Sequence, residues 1–73
     1  MHRHRHTDET YILVRGRIRV MFYNQEGALM EEAVLDPKRG RFGVNIPAGQ
    51  WYTLEVLEPG TVIFEYRMDR MLR

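Results

Sequence analysis

The sequence predicts an all-β domain of about six short strands. Apolar and polar residues alternate along several short segments, which is the period of a half-buried strand. Turn signals rich in Gly, Pro and Asn recur roughly every 8–12 residues, and no segment carries a convincing helical pattern. Together these three observations are typical of a small sandwich or barrel.

The first two strands are expected on either side of Gly16. Residues 11–14 form an apolar run of β-forming residues, and the glycine interrupts it. Residues 17–23 then alternate regularly, so that one face of the strand is apolar. That face consists of Ile18, Val20 and Phe22.

A hairpin is expected next. Residues 24–27, Asn-Gln-Glu-Gly, predict a tight turn, because glycine adopts positive φ without steric cost. Residues 28–36 are therefore expected to return as the third strand. The adjacent Glu31 and Glu32 break the alternation there, which leaves a helical turn open as an alternative.

The remaining strands are separated by Pro- and Gly-containing loops. Residues 37–40, Pro-Lys-Arg-Gly, are the clearest loop of the chain. Strands are expected at residues 42–46, 51–57 and 61–67. Most of the aromatic residues are expected in the core rather than in a stacking platform for a ligand. They are Phe22, Phe42, Trp51 and Phe64.

Length and composition restrict the organisation of the molecule. The 73 residues suit a single domain, 1–73, with an N-terminal His/Arg segment at 1–8 and a tail at 68–73. A chain this short buries only about 60% of its unfolded surface. The absence of cysteine excludes disulfides and thiolate metal sites. Because six strands also leave sheet edges uncovered, we expect a homodimer to complete the structure.

Charge and hydropathy narrow the possible partners. Eleven Lys and Arg residues against ten Asp and Glu residues give a net charge of +1, so no nucleic-acid partner is expected. Arg15, Arg17 and Arg19 are either a basic stripe for a phosphate or anionic sugar, or the solvated face of a strand pair. No apolar run approaches the roughly 20 residues of a membrane span, and the N-terminus lacks the apolar stretch of a signal peptide. We therefore expect a cytoplasmic protein without a membrane partner.

The candidate metal ligands lie at the start of the chain. His2 and His4 share a face on an extended strand, and two imidazoles placed in this way can bind one metal ion. Glu9 has the opposite parity, so it joins them only if the chain bends within residues 5–8. Two imidazoles and a carboxylate, with open positions, form the ligand set of catalytic zinc and non-haem iron sites. The alternative is that this His-rich start is a solvated basic tail.

A wider spacing pattern resembles the cupin superfamily. His2-x-His4-x4-Glu9-x6-Gly16 has the form of the first cupin motif, and Pro47-x-Gly49-x2-Tyr52 has the form of the second. Within that superfamily, residues 44–54 and 57–65 look like the WbuC family of small cupin-fold metalloproteins. The resemblance implies a small jelly-roll or β-barrel domain, here reduced at its N-terminus.

The resemblance also implies a site and a function. His2, His4 and Glu9 would bind a divalent transition metal (Fe, Mn, Ni or Zn). Tyr52 replaces the histidine that supplies the fourth ligand in cupins, so His6 is a candidate for the missing nitrogen and Tyr52 for an acid/base group near the metal. The WbuC resemblance suggests that the domain acts on, or senses, a sugar or sugar nucleotide in polysaccharide biosynthesis. The alternative is a metal-free dimeric module that binds a ligand or a protein without catalysis.

Overall fold

The structure, a computed structural model, describes Arg3 and residues 7–69. Its regular elements are antiparallel β-strands and one 3₁₀ turn, Pro37–Arg39, which lies between the third and fourth strands. The prediction of an all-β domain with six strands is confirmed. The strands are β1 (Thr7–Arg15), β2 (Ile18–Tyr23), β3 (Leu29–Leu35), β4 (Gly43–Ile46), β5 (Trp51–Val56) and β6 (Val62–Asp69).

The strands form two three-stranded sheets. The first sheet has the order β4-β1-β6 and the second has the order β3-β2-β5. The chain crosses from the first sheet to the second at Gly16, whose φ is +99°. A Cβ at this position would lie 2.7 Å from the Cα of Thr61, so the corner requires glycine for its backbone conformation and for its close contact.

The core lies between the two sheets. Its side chains alternate along each strand with outward-facing residues, as the pleat requires. Ile18 and Val20 are completely buried, which confirms the apolar face predicted for the second strand. The buried apolar residues are Tyr11, Leu13, Ile18, Val20, Leu35, Ile46 and Tyr52.

The hairpin between β2 and β3 has the predicted turn. The Asn24 side-chain oxygen accepts hydrogen bonds from the backbone N–H groups of Glu26 and Ala28, at 3.0 and 2.9 Å. Gly27 adopts a positive φ of 85°. β3 continues through Glu31 and Glu32, which are opposite Phe22 and Met21 of β2, so this segment is a strand and not a helical turn.

The first strand begins earlier than its apolar run. Pairing of β1 with β6 starts where Thr7 is opposite Asp69, four residues before the predicted apolar stretch. Asp8 also accepts a hydrogen bond of 2.7 Å from the backbone N–H of Ala48, in the loop before β5. These contacts come from distant parts of the chain, so local hydropathy carries no signal of them.

The prediction that four aromatic residues lie in the core is wrong for two of them. Phe22 packs against the core, and Trp51 is half-buried. Phe64 is 67% exposed and Phe42 is 54% exposed. In β6 the inner face belongs to Ile63, and the pleat therefore turns Phe64 outward, opposite Ile12 of β1.

Candidate functional site

A buried carboxylate, Glu9, lies near the start of β1 on the inner face of the first sheet. Glu9 is only 1% exposed and lies on the same face of β1 as the core residues Tyr11 and Leu13. Its neighbours across the sheet are Ile46 of β4 and Arg67 of β6. A charged group in such a position requires hydrogen bonds and a counter-charge, because burial strongly disfavours an isolated ion.

Two tyrosine hydroxyls supply the hydrogen bonds. Tyr11 reaches Glu9 Oε2 from two positions along the same strand, at 2.8 Å. Tyr52 reaches the same oxygen, also at 2.8 Å, from β5 in the opposite sheet. The two hydroxyl oxygens are 2.9 Å apart, and the rings meet edge to face with centroids separated by 6.1 Å. The site therefore joins the two sheets through polar contacts inside the core.

Glu9 Oε2 and the two tyrosine hydroxyl oxygens share two phenolic protons when Glu9 is ionised. Both protons are used best when they point at the carboxylate, since hydrogen bonds to a charged acceptor are the stronger kind. With both protons directed at the carboxylate, the two hydroxyl oxygens lie close together, and one of the protons is shared between the carboxylate and the second hydroxyl. The arrangement stabilises a negative charge on Glu9.

The surroundings raise the pKa of both tyrosines above the ordinary value of about 10. For Tyr52 the largest cause is burial, which disfavours the phenolate, and the negative charge of Glu9 acts in the same direction. Burial is also the largest cause for Tyr11, followed by its hydrogen bonds to Tyr52 and Glu9. Both residues are consequently protonated donors at neutral pH. For Tyr52 to act as a base, a nearby cation would have to lower its pKa instead.

Arg67 supplies the counter-charge. Its Nε lies 3.2 Å from Glu9 Oε1 and 2.6 Å from Glu65 Oε1, so one guanidinium pairs with a buried and an exposed carboxylate. The two carboxylates raise the pKa of Arg67, with Glu65 as the larger cause. The Arg67 side chain is 58% exposed, and solvent therefore screens much of this attraction.

The structure brings together two of the predicted site residues. Glu9 and Tyr52 come from the two motifs and meet inside the domain. His2, His4 and His6 lie outside the described residues, so their place relative to Glu9 stays a prediction. The same holds for the predicted bend at residues 5 and 6, while Thr7 and Asp8 are extended.

Neighbouring parts of the two motifs are also close. Gly49 has a φ of +86°, as expected for a turn glycine, and Gln50 N–H donates to the carbonyl of Pro47 at 3.2 Å. The guanidinium of Arg3 lies 4.5 Å from the ring centroid of Trp51, the residue before Tyr52. This cation–π contact places position 3 beside the start of β5.

Sequence reasoning missed Tyr11 and Arg67. Tyr11 follows Glu9 by two positions, so the period of a strand could have placed both on one face. Arg67 is opposite Glu9 only through the register of β1 with β6, which no local pattern reports.

The oxygens of this cluster suit a metal site in part. Among the side chains that the structure describes, no group of three His, Cys, Asp or Glu is placed to hold a metal ion. The described chain thus contributes one carboxylate, a ligand type that suits a hard cation such as Mn²⁺, whereas the two phenols keep their protons at neutral pH and are poor ligands. Imidazoles from His2 and His4 would complete a mixed nitrogen and oxygen set. Arg67 would have to release Glu9 Oε1 if that oxygen bound a metal.

A separate cleft lies between the second sheet and β4, and its lining does not include Glu9, Tyr11, Tyr52 or Arg67. Its volume is about 590 Å³, within the usual size range for small-molecule sites. The lining combines apolar side chains with a few amides. Among the lining residues are Phe22, Tyr23, Met30, Val44, Asn45 and Gln50.

Two of the three candidate basic-stripe residues pair with acids. Arg19 lies 3.0 Å from Glu55, and Arg17 lies 3.7 Å from Glu58, in exposed ion pairs. Arg15 donates to the carbonyl of Gly60 at 3.1 Å. These contacts favour the interpretation of a solvated, charge-balanced surface over a site for anions.

Comparison with known proteins gives one family match. A family model described as Domain of unknown function (DUF6016) matches residues 1–35, which include β1 to β3 and therefore Glu9 and Tyr11. The chain matches no curated protein and no solved structure. In the described residues, no helix has the length and apolar character needed to cross a membrane. The matched segment therefore includes Glu9 and Tyr11 of the cluster but not Tyr52 or Arg67.

Proposed function

We propose that this chain is a small cupin-type domain that binds a divalent transition metal, with Glu9 as its carboxylate ligand. The observation that carries the proposal is the meeting of Glu9 and Tyr52. The first cupin-like motif contributes Glu9, the second contributes Tyr52, and their oxygens lie 2.8 Å apart in the interior. His2 and His4 are the proposed nitrogen ligands, and His6 is a candidate for a third.

The described residues have distinct parts in this proposal. A bound divalent ion (Fe, Mn, Ni or Zn) would act as a Lewis acid that polarises an oxygen of a small molecule. Tyr52 holds its proton at neutral pH, and its hydroxyl, which here donates to Glu9 Oε2, would be the proton donor beside the metal. The cleft lined by Phe22, Tyr23 and Gln50 has the size for a sugar or sugar-nucleotide fragment, which we propose as the ligand class.

A second candidate is a metal-free module with a binding role. It is favoured by the contacts that already stabilise Glu9, namely two hydroxyl donors and the guanidinium of Arg67. A buried carboxylate satisfied in this way needs no metal ion to be stable. In this case the cleft alone would carry the function.

Elemental analysis distinguishes the two candidates. Protein prepared without an affinity tag should contain Fe, Mn, Ni or Zn at one ion per chain, and His4→Ala and Glu9→Gln should each lose it. Glu26→Gln, in the exposed β2–β3 turn, is the matched control and should keep the metal. His4→Ala keeps the test decisive if Glu9→Gln fails to fold.

The opposite outcome is equally clear. Substoichiometric metal, together with a melting temperature that chelation leaves unchanged, would overturn the metal-binding proposal and support the metal-free module.

A further inference from the structure

β6 is the strand that the rest of the domain covers least. On its outer face Phe64 and Tyr66 are 67% and 62% exposed. On its inner face Ile63 packs against the core, but Glu65 and Arg67, further along the strand, are exposed. An aromatic strand that is open on both faces is unusual for an isolated small domain.

The backbone of β6 is also open along one side. In the described chain β6 pairs with β1 alone and forms an edge of the first sheet. An edge strand presents N–H and C=O groups that can pair with another chain. β6 is eight residues long, whereas β4, at the other edge of this sheet, has four.

The edges of the second sheet are less suited to self-pairing. β3 carries Glu31 and Glu32 side by side, and β5 is partly buried, with Tyr52 in the core. β6 contains neither proline nor lysine, which commonly protect exposed edges. Its charged residues are Glu65, Arg67 and, at its end, Asp69, so acid and base alternate at every second position.

We propose that β6 is the docking strand for a second copy of this chain, paired antiparallel about a two-fold axis at Tyr66. In a two-fold antiparallel pair, residues equally far from the axis on opposite sides are opposite one another. With the axis at Tyr66, Glu65 of each copy is opposite Arg67 of the other. Opposite charges facing across strands stabilise the pair, and here symmetry provides two such contacts.

Charge selects this register over its neighbours. An axis at Glu65 would put the two Glu65 carboxylates opposite each other, and an axis at Arg67 would do the same with the two guanidinium groups. Like charges directly opposite one another destabilise a sheet. The alternation of Glu65 and Arg67 is therefore complementary to a second copy of itself.

The resulting dimer has one continuous six-stranded sheet, in the order β4-β1-β6-β6-β1-β4. Pairing covers the open edge and shields part of Phe64 and Tyr66. It also brings the partner's Glu65 to Arg67, the residue that pairs with buried Glu9. The inference uses no metal, and it holds or fails separately from the proposed function.

A single cysteine at the two-fold axis tests the arrangement. The native chain has no cysteine, so Tyr66→Cys introduces one thiol per copy. Opposite residues in antiparallel strands have Cα atoms about 4.5–5.5 Å apart, within the range of a disulfide. Under mild oxidation Tyr66→Cys should form a covalent dimer much faster than Glu26→Cys, whose thiol lies on the exposed β2–β3 turn.

Charge reversal tests the register. Glu65→Arg places arginines opposite each other across the axis, and it should weaken the dimer at least tenfold in sedimentation equilibrium. Glu26→Arg makes the same charge change away from β6 and should leave the dimer constant unchanged. Circular dichroism of each variant should match the native spectrum, since these side chains are exposed.

Hydrogen exchange provides a readout that needs no substitution. Amides of β6 should gain protection as the concentration of the native protein rises, while the β2–β3 turn should not change. A native chain that sediments as an 8.8 kDa monomer at high micromolar concentration would overturn the proposal. So would a dimer in which Tyr66→Cys and Glu26→Cys oxidise at the same rate.

Discussion

Replacing Tyr52 with Phe removes the hydroxyl that reaches Glu9 from the opposite sheet. The aromatic ring and its edge-to-face packing on Tyr11 stay, so the change removes the 2.8 Å hydrogen bond to Glu9 Oε2 together with the 2.9 Å contact to the Tyr11 hydroxyl. A hydrogen bond to a charged group contributes about 1.5–3 kcal/mol to stability. We therefore expect Tyr52→Phe to lower the free energy of unfolding by about 2 kcal/mol.

This loss is large for so small a domain. At about 0.05–0.15 kcal/mol per residue, the whole fold has a stability of about 4–11 kcal/mol. A change of about 2 kcal/mol corresponds to a fall in melting temperature on the order of 10 °C. Urea denaturation at pH 7, followed by circular dichroism, measures the free energy directly.

The matched control is Tyr23→Phe, the same chemical change at a part-buried tyrosine. The Tyr23 hydroxyl lies 3.3 Å from Thr53 Oγ1 and 3.7 Å from Met21 Sδ, both neutral partners, so we expect a cost of about 0.5 kcal/mol. The double variant Tyr11→Phe/Tyr52→Phe should cost about 1 kcal/mol more than the two single changes together, because the buried carboxylate oxygen then loses both donors. Equal costs for Tyr52→Phe and Tyr23→Phe would refute the view that Glu9 is held as a buried anion by Tyr52.

Two further predictions concern alkaline pH and the corner between the sheets. Folding raises the pKa of Tyr11 and Tyr52, so the unfolded chain loses these protons at lower pH than the folded chain does. The two tyrosines should therefore contribute their full share of the free energy of unfolding below about pH 10, and this contribution should fall as pH rises above that value. In denaturation measured between about pH 9 and pH 11, the free energy of unfolding should fall less steeply for Tyr11→Phe/Tyr52→Phe than for the native chain. An identical fall in both would contradict the raised pKa values of the two tyrosines. Gly16→Ala should cost about 3 kcal/mol or more, since it combines positive φ with a clash against Thr61. Gly60→Ala, where φ is +75° but no heavy atom lies within 4 Å of the new Cβ, should cost about 1–2 kcal/mol, and similar melting temperatures for the two variants would exclude the clash.

Local sequence patterns predicted most of the strands because each strand has its own alternation and its own turn. Residues 17–23 and 51–57 were expected as strands, and β2 and β5 occupy Ile18–Tyr23 and Trp51–Val56. The turn at Asn24 followed from the residue types that permit its backbone. These features depend on neighbours within a few positions.

Features that depend on pairing between distant strands could not be predicted in this way. The early start of β1 and the contact of Arg67 with Glu9 both require the register of β1 with β6. The outward orientation of Phe64 depends on which face of β6 the second sheet covers. The motif spacing pointed to Glu9 and Tyr52, whose side chains are in contact at 2.8 Å, while their role in a metal site stays a prediction.

The placement of β1 between β4 and β6 determines the order in which the molecule can assemble. Thr7 is opposite Asp69, so β1 lacks its longest partner until the ribosome has made β6. The β2–β3 hairpin, by contrast, closes through a short turn and is expected to form early. Nascent chains should therefore present β1 without a partner until β4 has been made, and with one open edge until β6 follows, which makes it the segment where chaperone binding or misassembly would begin.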